Sequence, residues 1–451
     1  MRRQQIFHFS LFTFHFFLYL CAEMTKYNTY TFESGLRIIH LPSASQVVWC
    51  GYDLAVGSRD EQPGEEGLAH FCEHMTFKGT EQRSALQVIN DLERVGGELN
   101  AFTNKEDTVF YAAVTKEHFA KAVGLLTDIV FHSQYPQQEI DKEVEVICDE
   151  IESYNDSPAE LIYDEFENIL FQGHPLGHNI LGTSDRVRSF KTVDALRFVR
   201  RHYRPENAVF FVYGDVDFKR LVSNSRKEEG GMRKENSDEA DQTTPNPSYS
   251  GGENTLQSNL VPRSSFLVPR KTITLNRGTH QAHVMLGTQA YRYDDPRRMT
   301  LYLLNNIIGG PGMNARLNLS LRERHGLVYT VESSMAAYSD TGVWSVYFGC
   351  DHHDINRCLR LVRKELDRVM LRPLSASQLM AAKRQLKGQL AIACDNREQF
   401  ALDFGRNFLH HGYERDLDKL FRKIDAVTAE DIQRVAGELF PADNLTTLII
   451  Q

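Results

Sequence analysis

Gly67-Leu68-Ala69-His70-Phe71-Cys72-Glu73-His74-Met75 is the stretch from which the rest of the chain can be read. Wound as a helix at about 100° per residue, it separates into two faces. Leu68, Phe71, Cys72 and Met75 make an apolar stripe at i, i+3, i+4 and i+7. His70, Glu73 and His74 fall on the other side. Two imidazoles one turn apart can grip one divalent ion, and a carboxylate beside them can reach a water on it. A solvated surface helix bearing two histidines and a glutamate would read the same way, so a third ligand has to decide.

Working outward, apolar alternation predicts strands at Leu36–His40, Val47–Ala55 and Thr108–Val114, and another beginning at Leu99. Helical spacing covers Ala85 to Val95, His118 to Val130 and Gln138 to Tyr154, with further helical stretches near 158–170 and 192–203. A strand at Ala208–Tyr213 closes this half. Residues 222–266 are rich in Ser, Gly, Asn, Glu, Lys and Pro, too polar to bury a core, and are expected to be a flexible linker. After it the order of elements repeats. Ala282–Gly287 is a strand, Arg298–Ile308 a helix, Gly342–Gly349 a strand, Asp354–Val369 a helix, and another helix starts near Ser377. The offset is 234 residues from Val109 to Val343 and 237 from Pro136 to Pro373. The fold class expected is therefore α+β: two homologous domains, each a mixed or antiparallel sheet covered by helices, over 24–221 and 267–451. In the second copy the helix reads Leu303-Leu304-Asn305-Asn306-Ile307-Ile308, so only the first copy carries metal ligands.

The third ligand is sought in the helix at 138–154. Glu143 and Glu150 lie two turns apart on one face, with Val146 and Ile147 on the same side. A buried carboxylate without a counter-charge is costly, and a metal ion removes the difficulty. Taken alone, that helix would be an ordinary amphipathic one with solvated glutamates. Two histidines, one carboxylate and an open fourth position make a catalytic zinc site.

With these residues in place, the chain resembles the pitrilysin/insulysin superfamily of zinc peptidases, in particular its half-length members, the bacterial processing proteases and the mitochondrial processing peptidase. His70-Phe71-Cys72-Glu73-His74 is the inverted zinc motif H-x-x-E-H. The family's ligand glutamate follows about 76 residues after the second histidine, as Glu150 follows His74, with a further glutamate seven residues earlier, matched by Glu143. Phe77-Lys78-Gly79-Thr80, Gly97–Thr103, His174–Gly177, Leu181-Gly182-Thr183 and Arg201–Asn207 continue the likeness, and Leu321–Tyr329 resembles the family's Arg/Tyr substrate motif.

The resemblance implies one Zn2+ per chain on His70, His74 and Glu150, with Glu73 as general base and Glu143 behind the ligands. It implies that the strand at Asn100 and Ala101 receives an extended peptide, and that Arg322 and Tyr329 hydrogen-bond the substrate carbonyl and the oxyanion. The alternative for that pair is a structural arginine and a core tyrosine. It implies a zinc-dependent endopeptidase acting on unfolded peptides or leader segments. The chain would form half of a clam-shell chamber, completed by a second copy or a related subunit. The runner-up function is a noncatalytic processing-peptidase-like partner or peptide-binding scaffold, whose members lose one or more of the four site residues.

Composition sets limits. Of 451 residues, 41% are hydrophobic and 25% charged, an ordinary globular balance with room for several domains, and the net charge of −9 argues against nucleic acid as a partner. Seven cysteines at positions 21, 50, 72, 148, 350, 358 and 394 are odd in number and scattered, reading as reduced thiols rather than a disulfide framework. Met1-Arg2-Arg3 and the apolar run Ile6 to Cys21 are signal-like, but His8, Ser10 and His15 interrupt the run and no small-x-small cleavage site follows. Residues 1–23 are expected to be an upstream extension of a cytoplasmic chain starting at Met24, without stable membrane insertion. Export is the alternative if that segment acts as a signal.

Overall fold

The computed structural model describes residues 27–235, 272–412 and 417–451. The upstream extension and residues 236–266 of the expected linker lie outside the described residues. Eleven strands are described, β1 (Asn28–Thr31), β2 (Arg37–Pro42), β3 (Val47–Leu54), β4 (Glu98–Thr103), β5 (Thr108–Thr115), β6 (Ala208–Gly214), β7 (Thr272–Leu275), β8 (Ala282–Ala290), β9 (Val328–Ala337), β10 (Gly342–Cys350) and β11 (Thr446–Ile450). They form two sheets in the orders β1-β2-β6-β3-β5-β4 and β7-β11-β8-β10-β9. In each sheet one pair is parallel, β2 with β6 inside the first and β7 with β11 at the edge of the second, and the other pairs are antiparallel. The repeat read from the offset is thus a repeat of topology, and the α+β reading holds.

Both faces of each sheet are buried, which explains the nearly continuous apolar runs. In β6, Phe210 and Val212 point into one cluster with Phe71, Val123 and Leu126, while Val209 and Phe211 point into another. The helices on this second face come from the wrong half. Ala401, Phe404 and Phe408 of the helix Arg397–His411 cover the first sheet, packed on Ile39, Val109 and Phe211. Reciprocally, Ile162, Phe166 and Leu170 of the helix Pro158–Leu170 cover the second sheet against Met285, Tyr347 and Leu448. Each domain lends a helix to its neighbour, so the two sequence halves share their cores.

The linker expected from residue 222 needs a correction at its start. A helix runs from Phe218 to Glu235, with Leu221 buried and Val222 packed on the first core. Those two apolar residues anchor its first turn, and the polar composition beyond them did not stop the backbone from continuing. The helix expected to reach Val95 ends at Glu93, followed by Gly96 in the left-handed region. Among the described residues, no helix is long and apolar enough to cross a membrane. The six described cysteines are free thiols.

Candidate metal centre

The opening helix runs from Leu68 to Thr76 and is buried nearly all round. Its apolar stripe is fully packed, with Phe71, Cys72 and Met75 at 0% exposure. Its polar side is covered too, since His70 is 7% and Glu73 8% exposed. The helix begins at Gly67, whose φ of +95° favours glycine, and a Cβ there would meet the Leu181 carbonyl at 2.7 Å. The Glu61 carboxylate accepts from Gly67 N at 3.0 Å and Ala69 N at 2.8 Å, serving the helix's unpaired N–H groups. His178 contacts the same carboxylate at 2.8 Å. Burial pushes the Glu61 carboxyl up, and those hydrogen bonds oppose it.

The helix Gln137–Asn155 crosses behind and brings the third donor. Ligand atoms of His70, His74 and Glu150 all lie within 4.8 Å of one another. Glu150 Oε2 is 3.3 Å from His74 Nε2 and 3.8 Å from His70 Nε2. Glu143 Oε1 is 3.0 Å from His74 Nδ1, on the far side of that ring, and Glu143 Oε2 is 2.5 Å from Lys78 Nζ. Glu143 therefore contacts His74 from behind the face turned to Glu150. Burial would raise its carboxyl, but the His74 and Lys78 hydrogen bonds outweigh it and hold the group below the usual range. Val146 is 51% exposed, which corrects the shared apolar stripe: at 3.6 residues per turn it rotates away from the core, whereas Ile147 is fully buried.

Glu73 sits beside the cluster with its Oε2 accepting from Thr103 Oγ1 at 2.7 Å. Burial pushes its carboxyl up, partly offset by His74 and the Thr103 hydrogen bond. Burial alone would lower His74, yet its bonds to Glu143 and Glu150 push it up to about 10. Three carboxylates thus converge on two imidazoles with Lys78 as the cation at the edge. The donor set calls for positive charge between His70, His74 and Glu150, and a divalent ion fits it, displacing a proton as it binds.

Thr103 ends β4, the outermost strand of the first sheet, which among the described residues pairs on one side only, with β5. Asn100 and Ala101 lie on that strand opposite Tyr111 and Phe110. Its free side is an edge to which an extended chain can add. Arg322 and Tyr329 are brought to each other in the second half. Arg322 is on a π-helical turn, its guanidinium 5.6 Å from the Tyr329 ring centre. Tyr329 is 83% exposed, so it is not a core tyrosine. Arg322 also pairs with its neighbour Glu323, at 3.8 Å. Glu61, Lys78 and Thr103 were not assigned roles from the sequence. Lys78 and Thr103 stood inside the quoted motifs, which was the one available signal.

The pattern of the family described as Insulinase (Peptidase family M16) matches residues 38–184, and that described as Peptidase M16 inactive domain matches residues 190–386. An uncharacterized zinc protease of Streptomyces coelicolor is 33% identical over 416 residues, covering 91% of this chain and 86% of that one. The chain belongs to peptidase family M16. A second uncharacterized zinc protease, from Bacillus subtilis, is 30% identical over 425 residues, 93% of this chain and 97% of its own length. In fold, the chain is similar to a protease from Helicobacter pylori with a TM-score of 0.83 at 21% identity, over 95% of this chain and 100% of that one. A peptidase M16 inactive domain from Pseudomonas fluorescens gives 0.77 at 18% identity, over 94% and 97%. At the level of the family, this M16 chain is of the zinc metalloprotease class. In its second half the corresponding helix, Arg298–Gly309, has no ligand histidine. There Asn305 accepts from Trp344 Nε1 at 3.0 Å and donates to Ser333 O at 3.1 Å, a packing role in place of chemistry.

Proposed function

We propose that this M16 chain is an endopeptidase that cuts unfolded peptides or leader segments, with His70, His74 and Glu150 as zinc ligands and Glu73 as general base. The observation that carries the reading is the three-donor cluster within 4.8 Å, with Glu73 beside it and tied to the open edge strand. Zinc bound there supplies Lewis acidity, lowering the pKa of a water toward neutrality. Glu73 takes the proton from the attacking water and returns it to the leaving amine. Burial, which raises Glu73, suits it to both halves of that transfer. Glu143 and Lys78 keep the His74 ring turned toward the ligand position. The peptide lies along β4 past Asn100 and Ala101, exchanging main-chain hydrogen bonds.

Arg322 and Tyr329 complete the site from a second chain, a homodimer partner or a related subunit, their exposed side chains facing the peptide carbonyl and the oxyanion. Enclosure between two such chains selects substrates by size and flexibility.

The test is metal analysis together with cleavage of an internally quenched peptide library. One zinc per chain, lost in His70→Ala and retained in Glu73→Gln while cleavage disappears, is the expected result. Protein that binds peptides but holds no zinc would instead be a noncatalytic subunit.

A further inference from the structure

We propose that Thr103 is the positioning residue for the base: its hydroxyl fixes the Glu73 carboxylate and registers it to the strand that receives the peptide. This rests on the endopeptidase reading above and goes beyond it in joining two parts of the site through one bond. Glu73 is carried by a helix, whereas the peptide is expected on a strand of the sheet. The contact between them is the 2.7 Å hydrogen bond from Thr103 Oγ1 to Glu73 Oε2. A glutamate has three side-chain torsions, and the tilt of its carboxylate decides whether a proton on a water is in line. A side-chain hydroxyl carried on the peptide-binding strand removes that freedom before the substrate arrives.

Thr103 is itself held firmly. Its partner across the sheet is Thr108, whose hydroxyl donates to Val56 O at 2.8 Å. The turn after it is closed by Asn104 N donating to Asp107 O at 2.8 Å. From outside the turn, Ser58 N and Arg59 N donate to the carbonyls of Asn104 and Lys105 at 3.1 and 2.8 Å. The Asp107 carboxylate is gripped by Arg406 from the second half at 2.6 and 2.8 Å. The end of β4 is therefore clamped on three sides, and one of those clamps belongs to the half without ligands. A strand end with such support is a rigid anchor, the kind of outer contact that catalytic geometry requires.

The experiment compares Thr103→Val, which keeps the branched shape and drops the hydroxyl, with Thr103→Ser, which keeps the hydroxyl. Zinc content, kcat and KM are measured on an internally quenched peptide that the wild-type protein cleaves. Crystal structures of both metal-free variants are determined alongside. Thr103→Val is expected to hold wild-type zinc, keep KM within about twofold and lose about tenfold or more in kcat. Its Glu73 carboxylate should leave the wild-type rotamer. Thr103→Ser should restore both rate and rotamer. A Thr103→Val protein with wild-type kcat overturns the proposal, as does one that loses zinc together with activity, or a serine variant no better than the valine. Wild-type protein that carries zinc and cuts nothing overturns the endopeptidase reading instead. The Glu73 rotamer in the metal-free variants then still decides the role of Thr103.

Discussion

His74 Nδ1 lies 3.0 Å from Glu143 Oε1, and the other oxygen of that carboxylate lies 2.5 Å from Lys78 Nζ. A proton held at the nitrogen facing Glu143 leaves Nε2 as the nitrogen that gives up its own proton to a metal ion, its lone pair then directed toward Glu150 and His70. Glu143 is thus the group that orients the His74 ring. Glu143→Gln keeps an acceptor of the same length for His74 but removes the charge that Lys78 partners. The expected outcome is a folded protein whose zinc affinity falls by about 10- to 100-fold, measured by competition with a chelator of known strength. Unchanged affinity would show that the neutral amide orients the ring equally well.

How much of this was legible follows from what each residue needed. His70 and His74 could be paired because a helix repeats at i+4 regardless of its surroundings. Glu150 could be added because a buried carboxylate face asks for a cation. The bond from Thr103 could not be found, since a strand pattern fixes which face a side chain takes and not what it meets there. The same limit hid the exchange of helices between halves. Ala401, Phe404 and Phe408 announce an apolar face, but a face of that width would suit either sheet. Tyr329 fell outside the rule that large aromatic side chains are buried, and nothing in the local pattern announced its exposure.

Glu167 links the halves, and its burial predicts that their union depends on pH. It sits on the helix lent to the second sheet and accepts from Tyr338 OH at 2.9 and 3.1 Å. Burial pushes its carboxyl up to about 7, against contributions from Lys105 and Tyr338 that lower it. Between its ordinary value and about 7 the folded protein binds a proton that the unfolded chain does not. Its contribution to stability is therefore complete at low pH and lost as pH rises through about 7. The full shift corresponds to about 3 kcal/mol. Glu167→Gln keeps an acceptor for Tyr338 and should remove most of the fall in stability between pH 5 and 8, read from urea midpoints. An unchanged pH slope in the variant would assign the dependence elsewhere.

Gly405, on the lent helix Arg397–His411, reports whether that contact is as tight as it looks. An added Cβ would lie 2.5 Å from Cδ1 of Phe211, which is fully buried under it. Alanine would gain about 0.5–1 kcal/mol in helix propensity. Overpacking against an immovable ring costs about 1–3 kcal/mol, so the clash wins. Gly405→Ala should lower the urea midpoint, while Gly388→Ala, whose Cβ meets nothing within 4 Å, should raise it. Equal responses at the two positions would mean that the lent helix can slide off its seat.

Tyr329 and Glu73 provide the sharpest test of how the site is completed. Glu73 belongs to the first half, and Tyr329, 83% exposed and with Arg322 against its ring, belongs to the second. If two chains share their sites, Glu73→Gln and Tyr329→Phe should each be inactive alone. Mixed in equal amounts and allowed to exchange, about half of the dimers hold one of each chain. In such a dimer, the chain with intact Glu73 meets the intact Tyr329 of the other, while the reciprocal site carries both lesions. The mixture should therefore recover about one quarter of the wild-type rate. If Tyr329 served the Glu73 of its own chain, every site in every mixture would carry one lesion and the rate would stay at the level of the single variants. Recovery that grows with time of mixing and saturates near that fraction is the result expected from pairing of two copies.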